Sequence, residues 1–262
     1  MQYIDQLNST ILLVSKPKRI VSLVPSQTEF LYDIGLEEEV VGITKFCIYP
    51  SHWLKTKVII GGTKNVDIEK VRSLQPDFII GNKEENTKED IEALREIAPV
   101  WMSDIFNLED ALEMMSSIGE IVEKKEETSK LVQSIREQFD SFKPVNFSKT
   151  VLYLIWRKPY IGVAKDTFID EMLKRCSFTN VLENETRYPT LDNIGELNPN
   201  VVFLSSEPYP FKEKHLEELK AIFPNATIKL VDGEMFSWYG SRLKKSVEYF
   251  RVTCDELTSD IS

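Results

Sequence analysis

The chain has 262 residues, of which 42% are hydrophobic, 10% aromatic and 28% charged, the make-up of a folded protein with a sizeable core and not of a disordered or low-complexity chain. Its 32 Lys and Arg against 42 Asp and Glu leave a formal charge of −10, which repels nucleic-acid phosphates and anionic lipid and argues against nucleic acid as a partner. Apolar runs such as Ile11 to Val14 and Val58 to Ile60 fall far short of the roughly 18 residues of a membrane span.

The first ten residues show no basic cluster followed by an apolar stretch and a small-residue cleavage site, so the expectation is either a chain that stays in the cytoplasm or one given without its signal. The first predicted element is a strand at Arg19 to Val24, apolar at most positions as a parallel strand covered on both faces would be. Pro25-Ser26-Gln27-Thr28-Glu29 follows. Ser26 and Glu29 have capping-box spacing for a helix, and Gly35 is placed to end it. A strand feeding a helix leaves backbone N–H groups at a sheet edge, where open α/β sheets hold ligands.

Next, Ile68, Glu69, Val71 and Leu74 at helical spacing lead to Pro76 and a buried-type strand from Asp77 to Gly81. Leu94, Ile97 and Pro99 then precede Val100-Trp101. From Leu108 to Phe142 there is no proline and one glycine, Gly119, while Leu112, Met115, Ile118, Val122, Leu131, Ile135 and Phe139 keep three-to-four spacing. This predicts one helix of some 35 residues, about 50 Å long, a rod between lobes whose weak point is Gly119. Its Glu123-Lys124-Lys125-Glu126-Glu127 run reads as a solvated face.

The second half repeats the grammar of the first. Thr150 to Ile155 opens it as a strand, Leu191, Asp192, Ile194 and Leu197 lead to Pro199 and a strand from Asn200 to Leu204, and Leu219, Ile222 and Pro224 precede a strand from Thr227 to Leu230. The reading is α/β: residues 1–107 form an N-terminal lobe, 108–142 the connecting helix and 143–262 a C-terminal lobe. The three cysteines, Cys47, Cys176 and Cys254, are scattered and read as buried free thiols. With only His52 and His215 available, a multi-histidine metal site has nothing to build from, and no intrinsic metal or cofactor is expected.

Two α/β lobes, a long connecting helix and the opening Lys18-Arg19-Ile20-Val21-Ser22-Leu23-Val24-Pro25-Ser26-Gln27-Thr28-Glu29 resemble the helical-backbone class of ABC-transporter solute-binding proteins, and within it the vitamin B12-binding proteins. The likeness extends through Val41-Gly42-Ile43-Thr44 with Tyr49-Pro50, Gly61-Gly62-Thr63-Lys64 with Ile68-Glu69-Lys70, and the run Asp232 to Arg242. It implies two Rossmann-like lobes with short, mainly parallel sheets. It also implies a monomeric receptor, not an enzyme, that captures a bulky metal chelate between its lobes and delivers it to a dimeric membrane permease, facing the periplasm or exterior. The family binds corrinoids, ferric siderophores or haem. A cobalt corrinoid, large, flat and largely neutral, suits aromatic walls, whereas siderophores call for Arg and Lys.

The positions matching the ligand site are Tyr49, Trp156, Tyr160, Phe236, Trp238 and Tyr239, with the cations Lys64, Arg157 and Arg242 close in sequence. Trp156, after a buried strand, is as readily core; Trp238, in a Gly- and Ser-flanked loop, favours a ligand, as does Tyr49 before Pro50. His52 and His215 read as solvated, and the Gly61-Gly62-Thr63-Lys64 segment lacks the spacing of a nucleotide loop. Glu69 and Asp192 stand at matching places before the proline of each repeat; in the family such acids dock the permease, the alternative being ordinary helix N-terminal carboxylates. Two other readings compete: an intracellular cofactor-handling enzyme, for which no glycine fingerprint, cysteine cluster or triad is present, and a cytoplasmic corrinoid sensor of the same fold.

Overall fold

The computed structural model describes residues 1–144 and 149–259. The chain divides into two compact units: Met1–Ile105, Glu109–Ile135 and Tyr239–Arg242 form the first, and Phe106–Leu108, Arg136–Trp238 and the chain from Leu243 form the second.

In the first unit an antiparallel hairpin of β1 (Gln2–Ile4) and β2 (Thr10–Leu12) precedes β3 (Ile20–Ser22), α1 (Pro25–Asp33), β4 (Val40–Ile43), α2 (Trp53–Thr56), β5 (Val58–Ile59), a small hairpin of β6 (Gly61–Gly62) and β7 (Asn65–Val66), α3 (Ile68–Ser73), β8 (Phe78–Asn82), α4 (Lys88–Arg95) and β9 (Val100–Ser103). The central sheet runs β5-β4-β3-β8-β9 and is parallel throughout. The chain therefore starts in the middle, winds one way and then crosses to the other side. The C-terminal ends of β3 and β8 form the switch point where such sheets hold ligands. Ile20, Val21, Phe78, Ile79, Ile80 and Trp101 have no exposed surface, as double-sided cover requires.

Helix α1 starts two residues earlier than a capping box at Ser26 would place it. Val24 is the extended N-cap, Pro25 occupies the first helical position, and no side chain caps the end. Ser26 and Glu29 are thereby inside the helix, free for other contacts. Gly35 does end it: at φ +80° it lets its own N–H reach Tyr32 O at 2.8 Å and Leu36 N–H reach Leu31 O at 3.1 Å, the paired bonds of a Schellman motif.

The expected single rod is two helices, α5 (Leu108–Ile121) and α6 (Lys125–Ser141). Between them Glu123 takes φ +56°, Lys124 N–H bonds Gly119 O at 2.7 Å, and Glu123 N–H bonds Glu120 O at 3.2 Å. This is again a Schellman stop, with Glu where glycine is usual. Gly119 permits it by close approach, since a Cβ there would lie 2.3 Å from Thr128 Oγ1. The sequence held a sign of the break: residues 123–130 carry no apolar side chain, so the buried stripe lapses for two turns.

The second unit contains β10 (Lys149–Trp156), β11 (Tyr160–Gly162), α7 (Phe168–Arg175), β12 (Phe178–Asn180), β13 (Thr190–Leu191), β14 (Val201–Ser205), α8 (Lys214–Ile222), β15 (Thr227–Val231), α9 (Gly233–Ser237) and α10 (Leu243–Ser259). β12, β14 and β15 continue parallel from β10, whereas β11 and β13 add antiparallel strands. β12 pairs with the first half of β10 and β11 with the second, so one long strand serves two partners along one flank. The helix expected before Pro199 is reduced to a 3-10 turn at Ile194–Glu196. Leu191 is drawn into β13 opposite Tyr160, and Asn193, Gly195 and Asn198 are weak helix formers.

Candidate functional site

In the first unit, the loop after β4 presents Phe46, Ile48 and Tyr49 outward, 51%, 39% and 39% exposed. Between them Cys47 points inward and anchors the loop. Its thiol accepts from Thr28 Oγ1 at 3.0 Å and lies 3.2 Å from Thr44 Oγ1, while Ser22 and Thr28 share a bond of 2.7 Å. Burial pushes this thiol above its ordinary value, which makes it an inert packing group, as expected of Cys47.

Arg242 arrives on the segment Tyr239–Arg242, which belongs to this unit although the chain on both sides of it does not. Gly240, at φ +109°, presses against Ser26, where a Cβ would lie 3.2 Å from the Ser26 carbonyl oxygen. Arg242 Nε donates to Glu29 Oε2 at 2.8 Å, the two side chains being 5% and 8% exposed, and its guanidinium lies 4.4 Å from the centre of the Tyr49 ring. Glu29, outside any capping box, is thus the counter-ion of a buried arginine; removal of either partner from such a pair costs about 3–5 kcal/mol. Tyr49 and Arg242, far apart in the sequence, are brought together in a cation–π contact. Tyr239 is buried, and burial raises its phenol well above the ordinary tyrosine value. Lys64 is exposed at the tip of the β6–β7 hairpin, whose Thr63 carbonyl accepts from Asn86 Nδ2 at 2.9 Å.

In the second unit the C-terminal end of β10 carries Trp156, which is 40% exposed and stands edge-on to Tyr209 with ring centres 5.7 Å apart. Tyr209 in turn packs on Phe211 at 4.8 Å and His215 at 5.6 Å. Beside them Arg157 is held by Glu218: Nη2 donates to Oε2 at 2.6 Å and Nε to Oε1 at 3.1 Å, while the Tyr160 hydroxyl donates to Oε1. Arg157, and then Tyr160, hold the Glu218 carboxyl below its usual range. Burial first, and Glu218 second, push the Tyr160 phenol up to about 12. Arg157 and Tyr160 meet on a carboxylate that was not foreseen. Glu218 lies one helical turn beyond Lys214 on α8, and the sequence shows only an amphipathic helix there.

Phe236 is corrected outright. It has no exposed surface and packs on Tyr153 at 5.4 Å and Phe250 at 4.8 Å, in the aromatic core of this unit. A ring without accessible surface meets no ligand. Trp238 is also turned inward, 7% exposed, with its indole N–H donating to Glu207 Oε1 at 3.0 Å. His215, expected in solvent, is 3% exposed; its Nδ1 accepts from Lys212 N–H at 2.9 Å, and burial, then Lys214, lower its pKa. His52 is exposed and bonds Glu37 at 2.8 Å.

Glu69 stands in the first turn of α3 behind the N-cap Asp67, its side chain 82% exposed and 3.5 Å from Arg72. Asp192 is exposed in the turn after β13. Cys176 and Cys254 are buried and unlinked. Among the described residues no group of three His, Cys, Asp or Glu is placed to hold a metal ion, and no helix is long and apolar enough to cross a membrane.

The residues at the two sheet edges thus offer aromatic surface and paired charges. Comparison with known proteins agrees with a binding role. A family model described as periplasmic binding protein matches residues 20–223. An uncharacterized ABC transporter substrate-binding lipoprotein of Bacillus subtilis is 27% identical over 93% of this chain and 82% of its own length. A vitamin B12-binding protein of Vibrio cholerae is 27% identical over 74% of this chain and 73% of its own. In fold, the periplasmic heme-binding protein RhuT of Roseiflexus sp. RS-1 superposes with a TM-score of 0.79 at 18% identity, covering 92% of this chain and 98% of that one.

Proposed function

The chain belongs to the periplasmic binding protein family, a family of solute-binding proteins and not of enzymes, and on that premise we propose that it captures a corrinoid for an ABC importer and hands it to a membrane permease outside the cytoplasm. The observation that carries the ligand class is the pairing of exposed aromatics with neutralised arginines. Tyr49 and Trp156 are each about two-fifths exposed, while Arg242, over the Tyr49 ring, and Arg157, next to Trp156 in the chain, already face Glu29 and Glu218. Aromatic surface flanked by arginines already held by carboxylates suits a broad, flat and largely uncharged ligand better than a polyanionic chelate. The likeness to the vitamin B12-binding protein supports the same reading.

A second reading, haem or a ferric siderophore, is favoured by one observation, the exposed ammonium of Lys64 at a hairpin tip. Titration with cyanocobalamin, haem and a ferric tricatecholate, followed by tryptophan quenching and visible absorbance, separates the two. Saturable quenching by cobalamin at micromolar concentration or below supports the corrinoid. A response to haem or the ferric chelate alone replaces it with the second reading. In this proposal the protein carries no resident cofactor, and Glu69 and Asp192 meet the permease.

A further inference from the structure

We propose that Glu218 sets ligand selectivity in the second unit by holding Arg157 neutralised, so that the face around Trp156 rejects anionic chelates; this rests on the reading of the protein as a metal-chelate receptor.

An arginine beside an exposed tryptophan would ordinarily recruit a carboxylate, catecholate or propionate, because its planar fork bonds such oxygens in pairs. Here that fork is already occupied. Nη2 and Nε of Arg157 both reach the Glu218 carboxylate, at 2.6 and 3.1 Å, and the Arg157 side chain retains only 20% of its exposure. Glu218 Oε1 also accepts the Tyr160 hydroxyl, so the carboxylate that holds the guanidinium is itself fixed from a second side. An incoming anion would have to break a two-point ion pair and leave Glu218, one-third exposed, facing its own negative charge. A neutral macrocycle meets no such opposition and can lie on Trp156 and Tyr209. The other cations nearby, Lys158, Lys212 and Lys214, are exposed, where water and salt screen them.

The test uses the full chain as wild type, Glu218→Gln, Glu218→Asp and the double variant Arg157→Gln/Glu218→Gln, each titrated with cyanocobalamin and with a ferric tricatecholate at low and high salt. Glu218→Gln keeps the shape and removes the charge. It should tighten ferric tricatecholate binding by roughly tenfold, the effect of one uncompensated charge near a trianion in a largely aqueous setting. That gain should shrink as salt rises, and cobalamin affinity should change by less than about threefold. Glu218→Asp should behave as wild type, and the double variant should lose the gain, which a merely structural role for Glu218 would not produce. If Glu218→Gln leaves chelate affinity unchanged, or if the double variant keeps the gain, Glu218 is not the selectivity residue, whatever wild type binds. If wild type ignores cobalamin while Glu218→Gln still gains chelate affinity, the corrinoid reading falls and the role of Glu218 stands. Should Glu218→Gln fail to fold by circular dichroism, Arg157→Gln serves instead. It leaves Glu218 as a bare anion and should weaken chelate binding; unchanged binding would overturn the inference.

Discussion

Trp156 and Trp238 present the same side chain at the end of a short element, and their surroundings give them opposite roles. Trp156 is the last residue of β10, paired with Ile161, and is 40% exposed, while Trp238 follows α9 with its indole N–H bound to Glu207 and is 7% exposed. Trp156→Ala should therefore weaken cobalamin binding by about thirtyfold, the cost of one aromatic anchor of about 2 kcal/mol, with unfolding by urea nearly unchanged. Trp238→Ala should do the reverse first: a cavity and the lost indole bond to Glu207 lower stability by about 3–5 kcal/mol, visible as a lower urea midpoint. A Trp238→Ala protein with wild-type stability would return that residue to the ligand surface. Glu218 adds a pH dependence. Its folded pKa is depressed, chiefly by Arg157, so its stabilising contribution is present above the ordinary carboxylate value of about 4.3 and is lost as pH falls through the lower folded value. The difference in melting temperature between wild type and Glu218→Gln should stay constant from pH 7 to about 5 and close below about 4; a gap that persists in acid would mean that the pair contributes through packing alone.

At the level of elements, the join of α5 and α6 shows how a glycine acts without any unusual φ of its own. Gly119 lies within α5, where alanine would normally favour the helix by about 1 kcal/mol. Thr128 on α6 fills the space a Cβ would take, with Oγ1 2.3 Å and Cβ 2.7 Å from its position. Threonine is branched at Cβ and cannot swing clear, so the clash outweighs the propensity gain. Gly119→Ala should cost about 1–3 kcal/mol, and Thr128→Ala in the same chain should restore part of that loss. The double-mutant cycle reads the coupling directly, and a coupling near zero would show that the two helices do not rely on this contact. The loop after β4 makes a similar point in another way: Cys47, locked by Thr28 of α1 and by Thr44 at the start of the loop, lies between the outward-facing Phe46 and Tyr49.

For the whole molecule, the sequence-level repeat is where docking and architecture meet. Glu69 and Asp192 occupy matching repeat positions, but one starts a helix and the other sits in a turn before a 3-10 segment. Both are exposed, so reversing them should leave the fold intact. Glu69→Lys with Asp192→Lys should keep cobalamin affinity within about twofold while association with the reconstituted permease falls by well over tenfold, because like charges across an interface cost several kcal/mol. An unaltered permease complex would remove the docking role. The strands were legible in the sequence because β3, β8, β10 and β14 each carry a run of residues buried on both faces, and those runs are largely apolar. The prolines and Gly35 marked boundaries for the same local reason, that their backbone preferences do not depend on distant partners. So the sequence by itself determined the α/β class, the two-fold repetition of its grammar and the placing of Tyr49 in an exposed loop. Only the tertiary structure decided which aromatics face outward and which cations are spoken for. Phe236 and Trp238 are buried by residues far away in the chain, Arg242 meets Glu29, and Arg157 meets Glu218. Such pairings join positions with no periodicity between them, and whether a charge is free or neutralised depends on the partner that folding brings to it.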